Sequence, residues 1–404
     1  MASVLSGIRV IEVAQYVFVP VACGVLAEWG ADVIKVEHPV RGDAYRGLRR
    51  TANLSTEGDF NYAWQHANRG KRSVGLDLTH PEGRASLGRL LATADVLVTN
   101  LLPDSRRRVR LELEDVRRDN PQIVYARGTA LGERGPERHR GGYDHATFWA
   151  RTGSQFGATP EDASRPAPMP SGAFGDSTAG LALAGGIAAA LLQRERTGVA
   201  TTVDLSLLGM GMWSMASAIS GAMRHGEPAA KMPRVPPFNP LAGTYRTRDA
   251  RWVVLGLLQG FHQWPMLCRC LERDDWITDP RFATAEAFES NLEGVQGELE
   301  RLFASRPVDV WRRRLEGLDA VWEIVQDTLE VSSDPQAVAN GYVAEVESGG
   351  AVFGRLVSSP VQYGEAPNHA TRAPEAGEHT EAILQELGLS WEEITRLKQA
   401  GAIS

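Results

Sequence analysis

The chain has 404 residues, too many for one simple core, and its 43% hydrophobic content is enough to bury two. A net charge of −7, with basic residues dispersed along the chain, gives no overall pull toward nucleic acid or an acidic membrane, so neither is an expected partner. Cys23, Cys268 and Cys270 fit neither a disulfide framework nor metal-ligand spacing, which predicts a reducing, cytoplasmic setting and no bound metal.

The first nine residues lack a basic segment followed by an apolar one, so no signal peptide is expected. Residues 8–13 read as a strand. Pro20 opens a helix over 21–29 that Gly30 closes, and 32–36 read as a second strand. Residues 73–78 form another extended run. Thr79-His80-Pro81-Glu82 has the spacing of a capping box before a helix to Ala92, and 95–99 and 123–127 are the next strands. This repetition predicts an α/β fold, a Rossmann-like parallel sheet with helices on both faces. The first crossover, Gln15-Tyr16-Val17-Phe18-Val19-Pro20, has no glycine where a pyrophosphate needs close backbone approach, so NAD and FAD are not expected.

Farther along, Ser171-Gly172-Ala173-Phe174-Gly175-Asp176-Ser177 leads into an apolar helix that ends in Arg194-Glu195-Arg196-Thr197-Gly198. Asp176 or Ser177 falls at the N-cap. Free backbone N–H groups and the helix dipole there favour an ionised carboxylate, which is a usable nucleophile. A plain cap is the other reading of the same residues. Residues 205–223 are uncharged but diluted by glycine and serine, and read as a buried helix rather than a membrane span.

Residues 224–240, with Pro228, Pro233, Pro236, Pro237 and Pro240, break all periodicity and mark a boundary. The expected divisions are 1–224, a smaller α+β domain over 225–330, and 331–404 returning to the large domain. Gly243-Thr244-Tyr245-Arg246 and residues 251–256 read as a hairpin, and 291–304 and 308–318 as helices. In the tail, 352–357 are extended, 380–387 helical, and Ser390-Trp391-Glu392-Glu393 caps a last helix.

Two basic sets, Arg69, Lys71 and Arg72, and Arg106, Arg107, Arg108 and Arg110, lie near strand edges. Guanidinium groups at the carboxyl ends of parallel strands suit phosphates, and Asn100-Leu101-Leu102-Pro103 sits at such an end. A solvated helix face is the alternative for the second set.

Gly30-Ala31-Asp32-Val33-Ile34-Lys35-Val36-Glu37, Gly42-Asp43, Asn68-Arg69-Gly70-Lys71-Arg72-Ser73-Val74, Gly142-Tyr143-Asp144, Gly172-Ala173-Phe174-Gly175-Asp176-Ser177, Arg196-Thr197-Gly198 and Gly377-Glu378-His379-Thr380 run in family-like order and spacing. In these residues the chain resembles the class III coenzyme A transferases, a family that also contains 2-methylacyl-CoA racemases. The resemblance implies a large Rossmann-like domain built from both chain ends, a smaller α+β domain and an interlocked homodimer. It implies transfer of CoA between an acyl-CoA donor and a carboxylic acid acceptor, with coenzyme A as co-substrate and Asp176 as the catalytic aspartate. CoA would be held by residues matching Lys71, Arg72, Asn100 and Arg108, with Leu101, Pro103 and Ser105 lining the nucleotide end.

The departures bear on the substrate. The racemase branch carries a histidine where this chain has Tyr143, and a tyrosine is a poor base at neutral pH. The formyl-CoA:oxalate branch carries a glutamine where Val17 stands. Gln15, Tyr16, Tyr143 and Asp144 are therefore expected to line the substrate pocket, and Tyr16, Phe18 and Trp149 suggest an acid more apolar than oxalate. The remaining alternatives are a racemase, an intramolecular CoA transfer, and a non-catalytic acyl-CoA-binding subunit.

Overall fold

The strand sequence Val96-Leu97-Val98-Thr99 is a near-continuous apolar run, the pattern of a strand covered on both faces, and Val10, Ile11 and Val13 follow it around Glu12. The computed structural model describes residues 3–51, 54–229, 231, 238–364 and 370–404. β1 (Arg9–Val13), β2 (Asp32–Glu37), β3 (Arg72–Gly75), β4 (Val96–Thr99), β5 (Val124–Thr129) and β6 (Thr202–Ser206) pair in parallel in the order β3-β2-β1-β4-β5-β6. The order reverses direction between β1 and β4, which is where a doubly wound sheet opens a crevice at its carboxyl edge.

Alternate residues feed two core layers. Val10, Val33, Val96, Val98 and Val124 face α1 (Phe18–Glu28) and, farther along the chain, a helix over Phe174–Thr197. Ile11, Ile34, Leu97 and Tyr125 face the other way. There they meet Leu87, Leu90 and Leu91 of a helix over Pro81–Ala92, and Leu384, Ile394 and Leu397 of the C-terminal helices Thr380–Glu386 and Trp391–Gln399. Both chain ends therefore build one unit, comprising residues 1–156, 166–229 and 335–404. Glycine permits the tight crossing of the long helix on α1, since a Cβ on Gly180 would lie 2.8 Å from Val21 and 2.9 Å from the Phe18 carbonyl.

Several local expectations change. α1 begins two residues before Pro20, which sits in the first turn where its missing N–H removes no helical bond. The cap of Pro81–Ala92 is His80, whose Nδ1 accepts from the Glu82 N–H at 3.2 Å, while Thr79 turns to Asp77. Ser390 and Glu393 do form the reciprocal capping box. β6 had no apolar signature because Asp204 interrupts it; as an edge strand it needs only one neighbour, and Asp204 pairs with Arg127 at 2.6 Å. Residues 205–223 are not one buried helix. They finish β6 and then form two helices, Leu207–Ser214 and Ala216–His225, and the second buries no residue.

The other unit holds residues 157–165 and 230–334. Its expected hairpin pairs Thr244–Arg246 with Trp252–Leu255, and Trp322–Ile324 adds a third antiparallel strand. Helices Leu292–Ala304 and Val308–Leu315 pack there around Trp311 and a stacked Trp264–Trp276 pair with ring centres 5.5 Å apart. Pro233, Pro236 and Pro237 of the expected linker lie outside the described residues.

Candidate active site

Beyond the carboxyl ends of β1, β2, β3 and β4 lies a cleft of about 450 Å³, lined by Ala14, Gln15, His38, Arg41, Asp43, Leu76, Thr79, Leu101, Ser105 and Arg108 among others. It occupies the switch point of the sheet. Asn100 braces its floor: its Oδ1 accepts from the Gln15 N–H at 3.0 Å and its Nδ2 donates to the Gln15 carbonyl at 2.6 Å. Pro103 is buried at the start of the short helix Pro103–Arg108 that carries Ser105 and Arg108. The cleft thus gathers Gln15, Leu101, Ser105 and Arg108 around a backbone held by Asn100. Arg41, which sequence reasoning missed although it adjoins Gly42-Asp43, stands there too. Both Arg41 and Arg108 are exposed, and neither is ion-paired among the described residues.

Lys71 and Arg72 are not in this cleft. Arg72 opens β3 at the amino edge of the sheet, where Asp32 and Glu386 hold its guanidinium at 2.7 and 2.6 Å. Residues that precede a parallel strand lie at the edge away from the ligand end, which is why the basic run before β3 misleads. Arg106 is likewise engaged, by Glu133 at 2.7 Å.

Lys71 joins a buried ionic chain. Its Nζ lies 2.6 Å from Glu12, Lys35 lies 2.7 Å from the other oxygen of Glu12, and Lys35 meets Asp43 at 2.9 Å, with all four side chains wholly out of water. Burial alone would push the Glu12 carboxyl up, but Lys35 and Lys71 hold it below the usual range. The free end of the chain does structural work: Asp43 Oδ1 accepts from the N–H of Tyr16 at 3.1 Å and of Tyr45 at 2.9 Å. Tyr16 needs that anchor, because its φ of 66° is one that a side-chain-bearing residue rarely adopts.

Tyr16 directs its ring at Tyr143, edge to face with centres 5.5 Å apart. Tyr143 precedes Asp144, which starts a π-helix over His145–Ala150 in which the Arg151 N–H reaches back to the Ala146 carbonyl. Phe148 of this turn packs on the start of the long helix over Phe174–Thr197. A Cβ on Gly175 would lie 2.6 Å from the Phe148 ring, so only glycine allows the contact.

Asp176 is the third residue of that helix. Ala173, at φ 62°, holds the cap position and offers no capping side chain, so the expected placement of Asp176 or Ser177 at the N-cap is corrected. Among the described residues the half-buried Asp176 carboxyl meets no cation, and burial, then Asp144, push it up to about 7. It therefore does not stay fully ionised at neutral pH as the helix dipole alone would have it. Ser177 bonds His66, whose Nε2 lies 3.0 Å from its Oγ and whose imidazole is held down to about 4 by burial and then by Arg69. Burial, followed by the charge of Asp176, pushes the Tyr45 phenol up to about 12, so it stays a hydrogen-bond donor. Neither His66 nor Tyr45 carries a spacing signal in the sequence.

Residues 5–380 match the model of the family described as CoA-transferase family III. The chain is 30% identical over 401 residues to (R)-2-hydroxy-4-methylpentanoate CoA-transferase of Clostridioides difficile, covering 99% of each chain. It is 29% identical to cinnamoyl-CoA:phenyllactate CoA-transferase of Clostridium sporogenes, covering 98% of this chain and 96% of that one. The solved structure of a CAIB/BAIF family protein from Brucella suis superposes with a TM-score of 0.82 at 27% identity, over 96% of this chain and all of the other.

Proposed function

Since the chain belongs to CoA-transferase family III and is an acyl-CoA:carboxylate CoA-transferase, we propose that Asp176 is its nucleophile and that the cleft at the sheet's switch point holds the CoA nucleotide. One observation carries the first part. Asp176 is a half-buried carboxyl in the first turn of a long helix, free of any counter-cation among the described residues, where backbone N–H groups have no helical acceptor.

Asp176 attacks the thioester carbonyl; its C–O bond forms as the C–S bond breaks, leaving a mixed anhydride and CoA thiolate. The thiolate returns to the aspartyl carbonyl and expels the donor acid as its carboxylate, giving an aspartyl-CoA thioester. The acceptor carboxylate attacks that carbonyl and expels CoA thiolate as a second anhydride forms, and the thiolate then attacks the acceptor's carbonyl, which forms the new acyl-CoA and frees Asp176. The first-turn N–H groups stabilise each tetrahedral oxyanion. Arg41 and Arg108 take the phosphates of CoA, with Gln15, Leu101 and Ser105 along the nucleotide.

The relatives named for (R)-2-hydroxy-4-methylpentanoate and phenyllactate, together with the exposed rings of Tyr16 and Tyr143, favour a branched or aromatic carboxylic acid as acceptor. An interlocked homodimer in the cytoplasm is the working form we infer. Trp213 and Met223, each 75% exposed, favour a second copy as cover, and Cys23, Cys268 and Cys270 are all free thiols.

Intact-protein mass spectrometry with a panel of acyl-CoAs, with and without hydroxylamine, tests the nucleophile. The expected result is an adduct on wild type that hydroxylamine removes and that Asp176→Ala never forms. An identical adduct on Asp176→Ala overturns the assignment.

A further inference from the structure

Asp144 is 6% exposed. Its Oδ1 accepts the His145 N–H at 2.8 Å, whereas its Oδ2 is buried and has no donor among the described residues. An unpaired buried carboxylate oxygen costs free energy, and capping His145 does not require one, since asparagine or serine offers the same acceptor. The π-helix that Asp144 starts is seated through Phe148 on Gly175, the neighbour of Asp176. That seat brings the Asp144 turn against the start of the helix that carries Asp176, close enough for the Asp144 charge to act on the Asp176 carboxyl.

The other groups there are already committed. His66, held neutral, gives its Nε2 to Ser177; Lys35 holds Asp43; Glu37 takes the Arg46 guanidinium; and Tyr16 pairs with Tyr143, which stacks on His145. Tyr45 and Tyr62 are phenols, and Arg69 is held by Glu28. No cation among the described residues neutralises either Asp144 or Asp176.

We propose that Asp144 is a positioning carboxylate that activates Asp176: its charge repels ionised Asp176 in the resting enzyme, and acylation of Asp176 removes that repulsion. The inference rests on Asp176 being the nucleophile. Asp176 forms the C–O bond as the C–S bond breaks, and the electron pair leaves on the CoA sulfur. The step consumes no proton, and negative charge moves away from Asp144. A carboxylate raised by a like charge is also more basic and hence a stronger nucleophile. The shift of Asp176 toward neutrality, caused first by burial and then by Asp144, agrees with this.

The test is the rate of hydroxylamine-sensitive adduct formation against pH, from 5 to 9, for wild type, Asp144→Asn, Asp144→Glu and Asp144→Ser, each checked for a cooperative thermal transition. The expected result is a wild-type rate rising through a midpoint near 7. That midpoint falls by about one pH unit or more in Asp144→Asn and Asp144→Ser, and returns in Asp144→Glu. If asparagine fails to fold, serine reads the same loss of charge. A wild-type midpoint retained in the neutral variants overturns the role of Asp144 while leaving Asp176 in place, as does a fall of equal size in Asp144→Glu. Absence of any adduct on wild type overturns the nucleophile itself.

Discussion

Lys35 and Asp43 meet at 2.9 Å with both side chains withdrawn from water, and the far oxygen of Asp43 fixes the backbone of Tyr16 and Tyr45. Asp43→Ala leaves Lys35 one partner short in the interior, so the variant is expected to lose about 3–5 kcal/mol in urea unfolding. Asp43→Asn keeps an acceptor for the two N–H groups and falls between it and wild type. Its loss of turnover is expected to track the position of Tyr16 and Tyr45 more than the loss of fold.

Replacing Asp176 is expected to stabilise the protein. Its folded value, near 7, lies above the unfolded carboxylate value, so its contribution is fully present at low pH and is lost as pH rises through 7. Asp176→Asn removes that loss. It should melt higher than wild type at pH 8, by an amount equivalent to about 2 kcal/mol after allowing for the part of the carboxyl that water reaches, and show little difference at pH 4. Scanning calorimetry at the two pH values decides this.

The two arginines of the cleft should act on binding. Arg108→Ala and Arg41→Ala are each expected to raise the KM for acyl-CoA about tenfold, the scale of one charge-assisted hydrogen bond, with kcat changed less. The wild-type KM should also rise with salt. Arg72→Ala, which removes pairing to Asp32 and Glu386 at the opposite edge of the sheet, should leave KM unchanged and lower only stability. Steady-state kinetics on the three variants separates the two edges.

His66 predicts an acid weakness. Its folded value, near 4, lies below its unfolded one, so the stability it contributes is present above about 6.5 and is lost as pH falls toward 4. His66→Gln, which can still bond Ser177, should flatten wild-type stability between pH 6.5 and 4, as followed by thermal melts.

Much of the fold is legible in the chain because β1, β2, β4 and β5 are short β-rich runs, broken inside only by Glu12, Lys35 and Arg127 and bounded by glycine, proline or charge, and a parallel sheet buries such runs on both faces. Edge strand β6 is not, because pairing on one side tolerates Asp204 in its middle. Asp176 could be singled out from its glycine-broken approach and the long helix behind it. Its protonation could not, since that depends first on burial and then on Asp144, which arrives from a separate turn, with no cation beside it among the described residues. The basic run at Lys71-Arg72 shows the opposite failure. Composition marks it as a phosphate site, but direction along the sheet places Arg72 at the edge away from the cleft, paired with Asp32, and Lys71 lies in the interior, paired with Glu12.

The π-helix over His145–Ala150 makes this site sensitive to chain length as well as to residue identity. The wider i→i+5 turn advances the side chains by less per residue than the about 100° of an α-helix, but still enough that deleting one position between Asp144 and Phe148 would move the carboxyl relative to Asp176 while Phe148 stayed seated on Gly175. Among related chains, a one-residue gap in this turn therefore carries as much information about chemistry as a substitution at Asp144. Two sequences that both keep the aspartate, but differ in the count that follows it, should not be expected to share a pH profile.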